Sequence, residues 1–471
     1  MITGKLMIFV ATLSAMLFLE PFSPEGGPRS ASAADPLLPH VLPQMETPDF
    51  WIGKLSHPDR IVLDAEEIQR MNNRNVKSPD FYLFSVKDLR ETYTRNELLA
   101  LFEEDLQGFG PTDEIRYGKQ GRPLGESFWA NLKRNLNQKS LRENNPIRFG
   151  LIINRTDLRV FPTDEPSMKS PSDDEFDRFQ HSSVSPASLV GIYHVSRDRK
   201  WAYIQTHFVR GWVHAMDVAI AKQKRDALDY AESRNRLVMT GSYVKTFADP
   251  SLRRVVFSAP MGASFPILNP HEKAATPGSL YVVRIPSRDR NGRLSFGKGY
   301  ITKTADVHQG FLPYTQENVA HQAFKMLHEP YGWGDKLGGR DCSKFMMDLF
   351  STFGIVLPRN SKYQAMIGKD LGAVEGKDLQ EKLKVLNRAI PLVTLVRLPG
   401  HITLYLGRHY ERHYVIHNLW GVETTGPEGP VLERIARVVV SDLSLGESGP
   451  RGSLLDRATD IRSIERNGPT P

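Results

Sequence analysis

The chain has almost no cysteine: one residue, Cys342, among 471. That excludes an internal disulfide, so folding must rely on packed cores alone. Long hydrophobic runs are also missing. After the N-terminus no stretch approaches the roughly 20 apolar residues of a helix that crosses a bilayer. Runs of one charge sign are absent too. Lys and Arg number 61 against 54 Asp and Glu, a formal net charge of +7. With no Lys/Arg run and no nucleic-acid motif, nucleic acid is not an expected partner. The mild positive balance suits an anionic polymer, or is ordinary surface charge. The chain is 40% hydrophobic and 24% charged, which fits folded globular material. Its length allows three or four domains.

Residues 1–34 read as a secretory signal. Lys5 precedes an apolar run over 6–19, Glu20 and Pro21 break it, and Ala31-Ser32-Ala33-Ala34 offers a small-residue cleavage site. No cysteine lies there to carry a lipid. The mature protein is expected to be periplasmic or secreted, with no stable membrane insertion. Helical patterns at 65–73, 95–106 and 126–136 predict a mostly helical domain over 36–145. Short strand-like runs at 147–154, 188–195, 201–206 and 211–215 predict a small β-domain over 146–220. A linker helix is expected over 219–235. A second β-domain is expected at 235–310, with Asp289-Arg290-Asn291-Gly292 as a hairpin turn. Trp201 and Trp212 either line a ligand groove or fill the barrel core. Residues 446–471 are polar, with Gly and Pro, and read as a loose tail.

The stretch that organises the chain runs from Tyr331 to Arg359. It begins Tyr331-Gly332-Trp333-Gly334 and continues Gly338-Gly339-Arg340-Asp341-Cys342-Ser343. From Cys342 the apolar positions Phe345, Met346, Leu349, Phe350 and Phe353 form the stripe of a helix lying on a core. Asp341 is a natural N-cap and Gly354 a natural stop. The only thiol therefore opens a helix, where free backbone N–H groups favour a thiolate.

A thiolate nucleophile needs an imidazole base and a group to orient it. After an apolar run at 391–398, Pro399-Gly400 turns the chain into a strand over 401–407 that carries His401, at a sheet edge where a side chain can face a cleft. Residues 413–419 return as a strand holding His413, His417 and Asn418. Arg340 reads as a solvated loop arginine or as a ligand for a substrate carboxylate.

These residues resemble the nucleophile helix of papain-like cysteine hydrolases, and most closely the NlpC-type bacterial cell-wall peptidases. Tyr331, Trp333, Gly334, Asp341, Cys342, Ser343, Leu357, Pro358 and Arg359 all match, and the likeness covers about 312–445. Asn154-Arg155-Thr156-Asp157-Leu158-Arg159, Pro162 and the closing Gly211-Trp212-Val213 resemble a bacterial SH3 domain. By position, 36–145 corresponds to an N-terminal clip domain. The resemblance implies an α+β multidomain fold. A papain-like catalytic domain, a helix bundle plus antiparallel sheet, would follow two SH3-like barrels and the helical domain.

It implies a cysteine peptidase that cuts the γ-D-glutamyl–diamino acid bond of peptidoglycan stem peptides. Cys342, His401 and His417 would be catalytic, with Asn418 as the alternative third residue. Tyr331, Asp341 and Ser343 would hold a free α-amino group, and the Tyr331 hydroxyl would assist the oxyanion. Gln364 would stand near the rim. No cofactor or metal is expected, and the protein is expected to be a monomer. An amidase or acyltransferase on the same fold, or a wall-binding scaffold with an idle thiol, are the other readings.

Overall fold

The computed structural model describes residues 36–268 and 278–466. The expected signal at 1–34 lies outside them. The chain divides into two compact units. One holds Ser85–Ala231 and Pro286–Ser295; the other holds the described parts of Ala31–Phe84, Glu232–Ile285 and Phe296–Pro471.

The first unit is built on a seven-stranded antiparallel sheet. Its order is Val218–Ile220, Arg148–Ile152, Leu189–Val195, Trp201–Gln205, Arg210–His214, Thr156–Arg159, Gln180–Val184. Helices Arg95–Phe109 and Glu126–Asn135 belong to the same unit. Thr94 and Glu97 start the first of these with a reciprocal capping box. Phe102 stacks on Trp212 with ring centroids 5.9 Å apart. Trp201 and Trp212 are both buried, so of the two readings of these indoles core packing holds. The linker helix spans Lys224–Ala231.

In the second unit, Arg236–Met239 lies between Ser264–Pro266 and Val307–Gln309. A second sheet runs Val255–Pro260, Tyr243–Phe247, Leu294–Thr302, Leu280–Arg288. A six-stranded sheet follows: Lys369–Asp370, Asp460–Ser463, Thr394–Leu398, His401–His409, Arg412–Gly426, Gly429–Asp442. The helix Cys342–Ser351 packs on the His401 and Arg412 strands.

Three expectations change. The helical region 36–145 is not one domain, because its first part belongs to the same unit as residues 296–466. Ile61 and Leu63 pair with Thr315 and Tyr314. Asn72 donates to Gly354 O at 2.8 Å and accepts from Val356 N at 3.0 Å. The segment after 446 is not loose within its described part. Leu454, Leu455, Ala458, Ile461 and Ile464 are buried, and Asp460–Ser463 pairs with Thr394–Leu398. Its polar composition hid five apolar residues that complete the sheet. The His401 strand is an interior strand rather than an edge; it is His401 itself that stands at the strand's opening end.

Candidate active site

The helix Cys342–Ser351 forms where its stripe predicts, with Phe345, Met346, Leu349 and Phe350 buried. Asp341 caps it, accepting from Lys344 N at 2.8 Å. The preceding loop closes on itself, with Gly332 N donating to Arg340 O at 2.8 Å. A Cβ at Gly332 would meet Gly339 O at 2.3 Å, so only glycine permits that approach. The loop is also fastened from its other side. Asn418 Nδ2 donates to Arg340 O at 2.8 Å.

Arg340 is neither solvated nor free to bind a substrate. It is 1% exposed, and its guanidinium donates to Asp348 at 2.7 Å, Glu329 at 2.5 Å and Ser242 O at 2.9 Å. Its guanidinium lies over the Tyr243 ring at 4.7 Å. Gln364 is likewise buried; it donates to Ser343 O and Pro358 O, both at 2.8 Å, instead of standing at a rim.

The structure brings His401 and His417 together. His401 Nε2 lies 2.6 Å from His417 Nδ1, and His417 Nε2 lies 2.9 Å from Ser441 Oγ. The Ile402 backbone N–H is directed at the Cys342 sulfur, which sets the thiol one residue from His401. His413 faces elsewhere and pairs with the Tyr405 hydroxyl at 2.8 Å. Asn418 is taken by the Arg340 carbonyl. Of the three candidates on this strand, only His417 reaches His401.

The row has a direction. If His401 Nδ1 is to accept a proton, Nε2 must carry one and donate it to His417 Nδ1. His417 is then protonated at Nε2 and donates to Ser441 Oγ. Ser441 was not singled out from the sequence. The available signal was a buried serine after Val438-Val439-Val440, on the strand paired with the His417 strand.

Asp341 is more fully engaged than expected. Oδ1 accepts from Lys344 N, from Ser343 Oγ at 3.1 Å and from Arg359 at 3.1 Å. Oδ2 accepts from Arg359 at 2.5 Å and from Gly334 N at 3.2 Å. Five donors fill a carboxylate that offers about four lone-pair sites. Arg359 also donates to Ser343 Oγ at 2.7 Å. Tyr331 is half-buried and flanks Arg340 in a parallel bridge.

The electrostatics describe a neutral resting pair. Burial, then the Asp341 carboxylate, pushes the Cys342 thiol up to about 12, against the Ile402 N–H, Arg359 and the Ser343 N–H. The Ser343 N–H at the helix start acts in the thiolate's favour, as the sequence suggests, but burial and Asp341 outweigh it. Burial, then the Arg457 cation, brings His401 down to about 3, with Asp341 opposing. His417 is held well below its usual value by burial, His401 and Arg457. Burial acts to raise Asp341, but the Arg359 fork and the Lys344 and Ser343 donors outweigh it and hold the carboxyl below the usual range. Among the described residues no cluster of His, Cys, Asp or Glu could hold a metal, and no helix is long and apolar enough to cross a membrane.

Residues 328–419 match the model of the NlpC/P60 family, and residues 166–214 match an SH3 domain of the SH3b1 type. A solved NlpC/P60 endopeptidase from Photobacterium damselae subsp. piscicida superposes with a TM-score of 0.69 at 20% identity, covering 88% of this chain and 96% of its own. That likeness is one of fold. An NlpC/P60 family protein from Bacillus cereus has a TM-score of 0.41 at 14% identity over 61% of this chain and 83% of its own. NlpC2 from Trichomonas vaginalis has 0.27 at 13% identity over 69% and 99%. No curated protein matches the chain.

Proposed function

We propose, from the premise that this chain carries an NlpC/P60-family domain and an SH3b-type domain, that it is an exported cysteine peptidase acting on peptidoglycan peptides. The observation that carries this is the row His401–His417–Ser441 beside a thiol at a helix start. An idle thiol on a wall-binding scaffold would need no hydrogen-bonded imidazole pair at its side.

In the proposed reaction, His401 Nδ1 takes the Cys342 proton as the sulfur attacks the scissile carbonyl. The tetrahedral oxyanion is received by the Cys342 backbone N–H and the Tyr331 hydroxyl. Collapse breaks the C–N bond, and His401 returns the proton to the leaving amine. A water, deprotonated by His401, then releases the acyl group and regenerates the thiol. His417 and Ser441 hold the imidazole in register throughout. With the thiol at about 12 and the imidazole at about 3, charge separation waits for the substrate rather than preceding it.

The bond cut is proposed to be that between γ-linked D-Glu and a diamino acid, a reading that rests on family resemblance. The test is mass spectrometry of defined muropeptides incubated with wild type and Cys342→Ala. Cleavage at that bond by wild type alone is expected, and no cleavage of any peptide would sink the proposal.

Free-amine recognition by Asp341, Tyr331 and Ser343 belongs to the same proposal, with one change. Because Arg359 already occupies Asp341, an ammonium must share the carboxylate with that fork, which weakens its hold. Asp341→Asn should therefore cost free-amine peptides less than the roughly 10-fold or more that an unshared charge-assisted bond implies. Equal kcat/KM losses on free-amine and N-acetylated peptides would remove the amine role altogether.

A further inference from the structure

The segment 446–466 does more than complete the sheet. Asp460 pairs with Arg397, and the next residue on that strand, Leu398, pairs with His401. Thr459 N donates to Arg397 O at 2.9 Å. The turn before the strand therefore lies at the end of the sheet where His401 begins, and Arg457 sits in that turn.

Its backbone is fixed on both sides. Lys382 Nζ, on a side chain only 2% exposed, donates to the carbonyls of Leu455, Asp456 and Ala458 at 3.1, 2.5 and 3.1 Å. Arg457 Nε donates to Ser453 O at 3.2 Å, and the two terminal nitrogens have no partner among the described residues. The nearby acids are already engaged. Glu423 pairs with Arg451 at 2.7 Å, and Asp456 accepts from Ser453 N and Oγ at 2.9 and 2.7 Å. Glu423 and Asp456 attract the guanidinium without a direct ion pair, and an anion supplied from outside that pairs with it directly offsets the cost of its partial burial.

On the reading of this site as a peptidase, we propose that Arg457 is a specificity-determining residue that receives a carboxylate on a substrate residue flanking the scissile bond. The free fork of the guanidinium matches a carboxylate in shape and charge. Docking would also act on the chemistry. Arg457 opposes the protonated forms of both His401 and His417, so neutralising it eases proton transfer from Cys342. The other charged or titratable neighbours are Asp341 for His401, His401 for His417, and Asp341 and Arg359 for Cys342. None of these changes when a carboxylate binds Arg457. A carboxylate-bearing substrate is therefore both held and activated, and an uncharged analogue is neither.

One measurement needs no peptidase activity. Cys342 is alkylated with iodoacetate and with iodoacetamide, which differ in the carboxylate. The rate ratio of the two should fall about 10-fold in Arg457→Gln. It should hold in Arg451→Gln, whose guanidinium is already paired with Glu423. If Arg457→Gln does not fold, Arg457→Lys, which keeps the charge without the fork, should show a smaller fall. An unchanged ratio at Arg457, or an equal fall at Arg451, overturns the assignment. The second measurement compares kcat/KM for γ-D-glutamyl peptides with free carboxylates and for their amides. The preference for the carboxylate should shrink about 10- to 100-fold in Arg457→Gln, and an undiminished preference would overturn the proposal. If wild type cleaves no peptide while the alkylation ratio still depends on Arg457, the peptidase reading fails and the carboxylate site stands.

Discussion

Asp105 in the first unit and His401 in the second are both titratable groups with an arginine close by, and they are held in opposite ways. Asp105 accepts from the Tyr203 hydroxyl at 2.6 Å and from Arg210 at 2.8 Å, and Arg210 donates in turn to the Tyr203 oxygen at 2.8 Å. Glu104 adds a further contact to Arg210 at 2.9 Å. The triangle is closed, and nothing from outside is needed to satisfy it. His401 instead leans on His417, and the Arg457 cation near it makes no direct ion pair with a carboxylate. A closed polar network ties a helix to a barrel. An open one leaves a place for an outside group to complete it.

The difference can be tested, starting where the effect is largest. His401→Ala should lower kcat/KM on a cleaved muropeptide by about 10³-fold or more, as loss of a general base does in related triads. Thermal unfolding should move little by comparison. A variant with near wild-type turnover would mean that the open network is not the catalytic one.

Asp105→Ala should do the reverse. Removing the carboxylate leaves the buried Tyr203 hydroxyl without its acceptor and Arg210 with Glu104 as its remaining acid, at a cost of about 1–3 kcal/mol. Urea unfolding followed by native-state hydrogen exchange over 100–110 and 200–212 should locate the loss in the first unit. A cost within the ordinary surface range would show that the triangle stabilises nothing.

pH separates the two regions by sign. Burial, against the pull of Arg210, raises Asp105 from 3.8 to about 6. Its contribution is full below pH 4 and is lost as pH climbs through 6. Burial, with Arg408 adding, lowers His413 from 6.5 to about 4. Its contribution is present above pH 6.5 and is lost as pH falls through 4. Each shift amounts to about 3 kcal/mol. Between pH 4.5 and 6.5, hydrogen-exchange protection corrected for intrinsic rates should fall around 203–210 and rise around 405–413. A common direction in both places would erase the contrast.

The smallest expected effect is at Ser441. Ser441→Ala removes the acceptor that fixes the His417 tautomer and should cost about 10-fold in kcat. Ser441→Thr should restore most of it. A loss that Thr does not rescue, with an unshifted pH profile, would assign Ser441 to packing alone.

The nucleophile helix was legible in the sequence because everything that makes it is local: the stripe, Asp341 as cap, Gly354 as stop. His401 was legible because Pro399-Gly400 announces the strand. What the sequence withheld depends on partners far along the chain. The choice between His413, His417 and Asn418 turns on which side chain meets His401 across paired strands. Ser441 lies on the strand paired with the His417 strand, and Arg457 in the turn before Asp460–Ser463; no local pattern states the register of either strand. The engagement of Asp341 follows from Arg359, 18 positions away, a residue noticed only as part of a motif. Helical periodicity predicts a helix over 65–73, which the structure extends to Lys77, but not which unit receives it.

The way the second unit is threaded has a consequence in time. His40 Nδ1 lies 2.9 Å from Asp442 Oδ2, with 402 positions between them along the chain. The strand Ile61–Leu63 must wait for Tyr314–Thr315, and the strand Thr394–Leu398 for Asp460–Ser463. Contacts this distant reward the chain only after its longest loops have closed, and such topologies fold slowly. The strand Asp460–Ser463 thus emerges long after the thiol whose sheet it completes. The thiol's surroundings are complete only once Asp460–Ser463 has been made, which delays by topology alone the moment at which the site takes its final form.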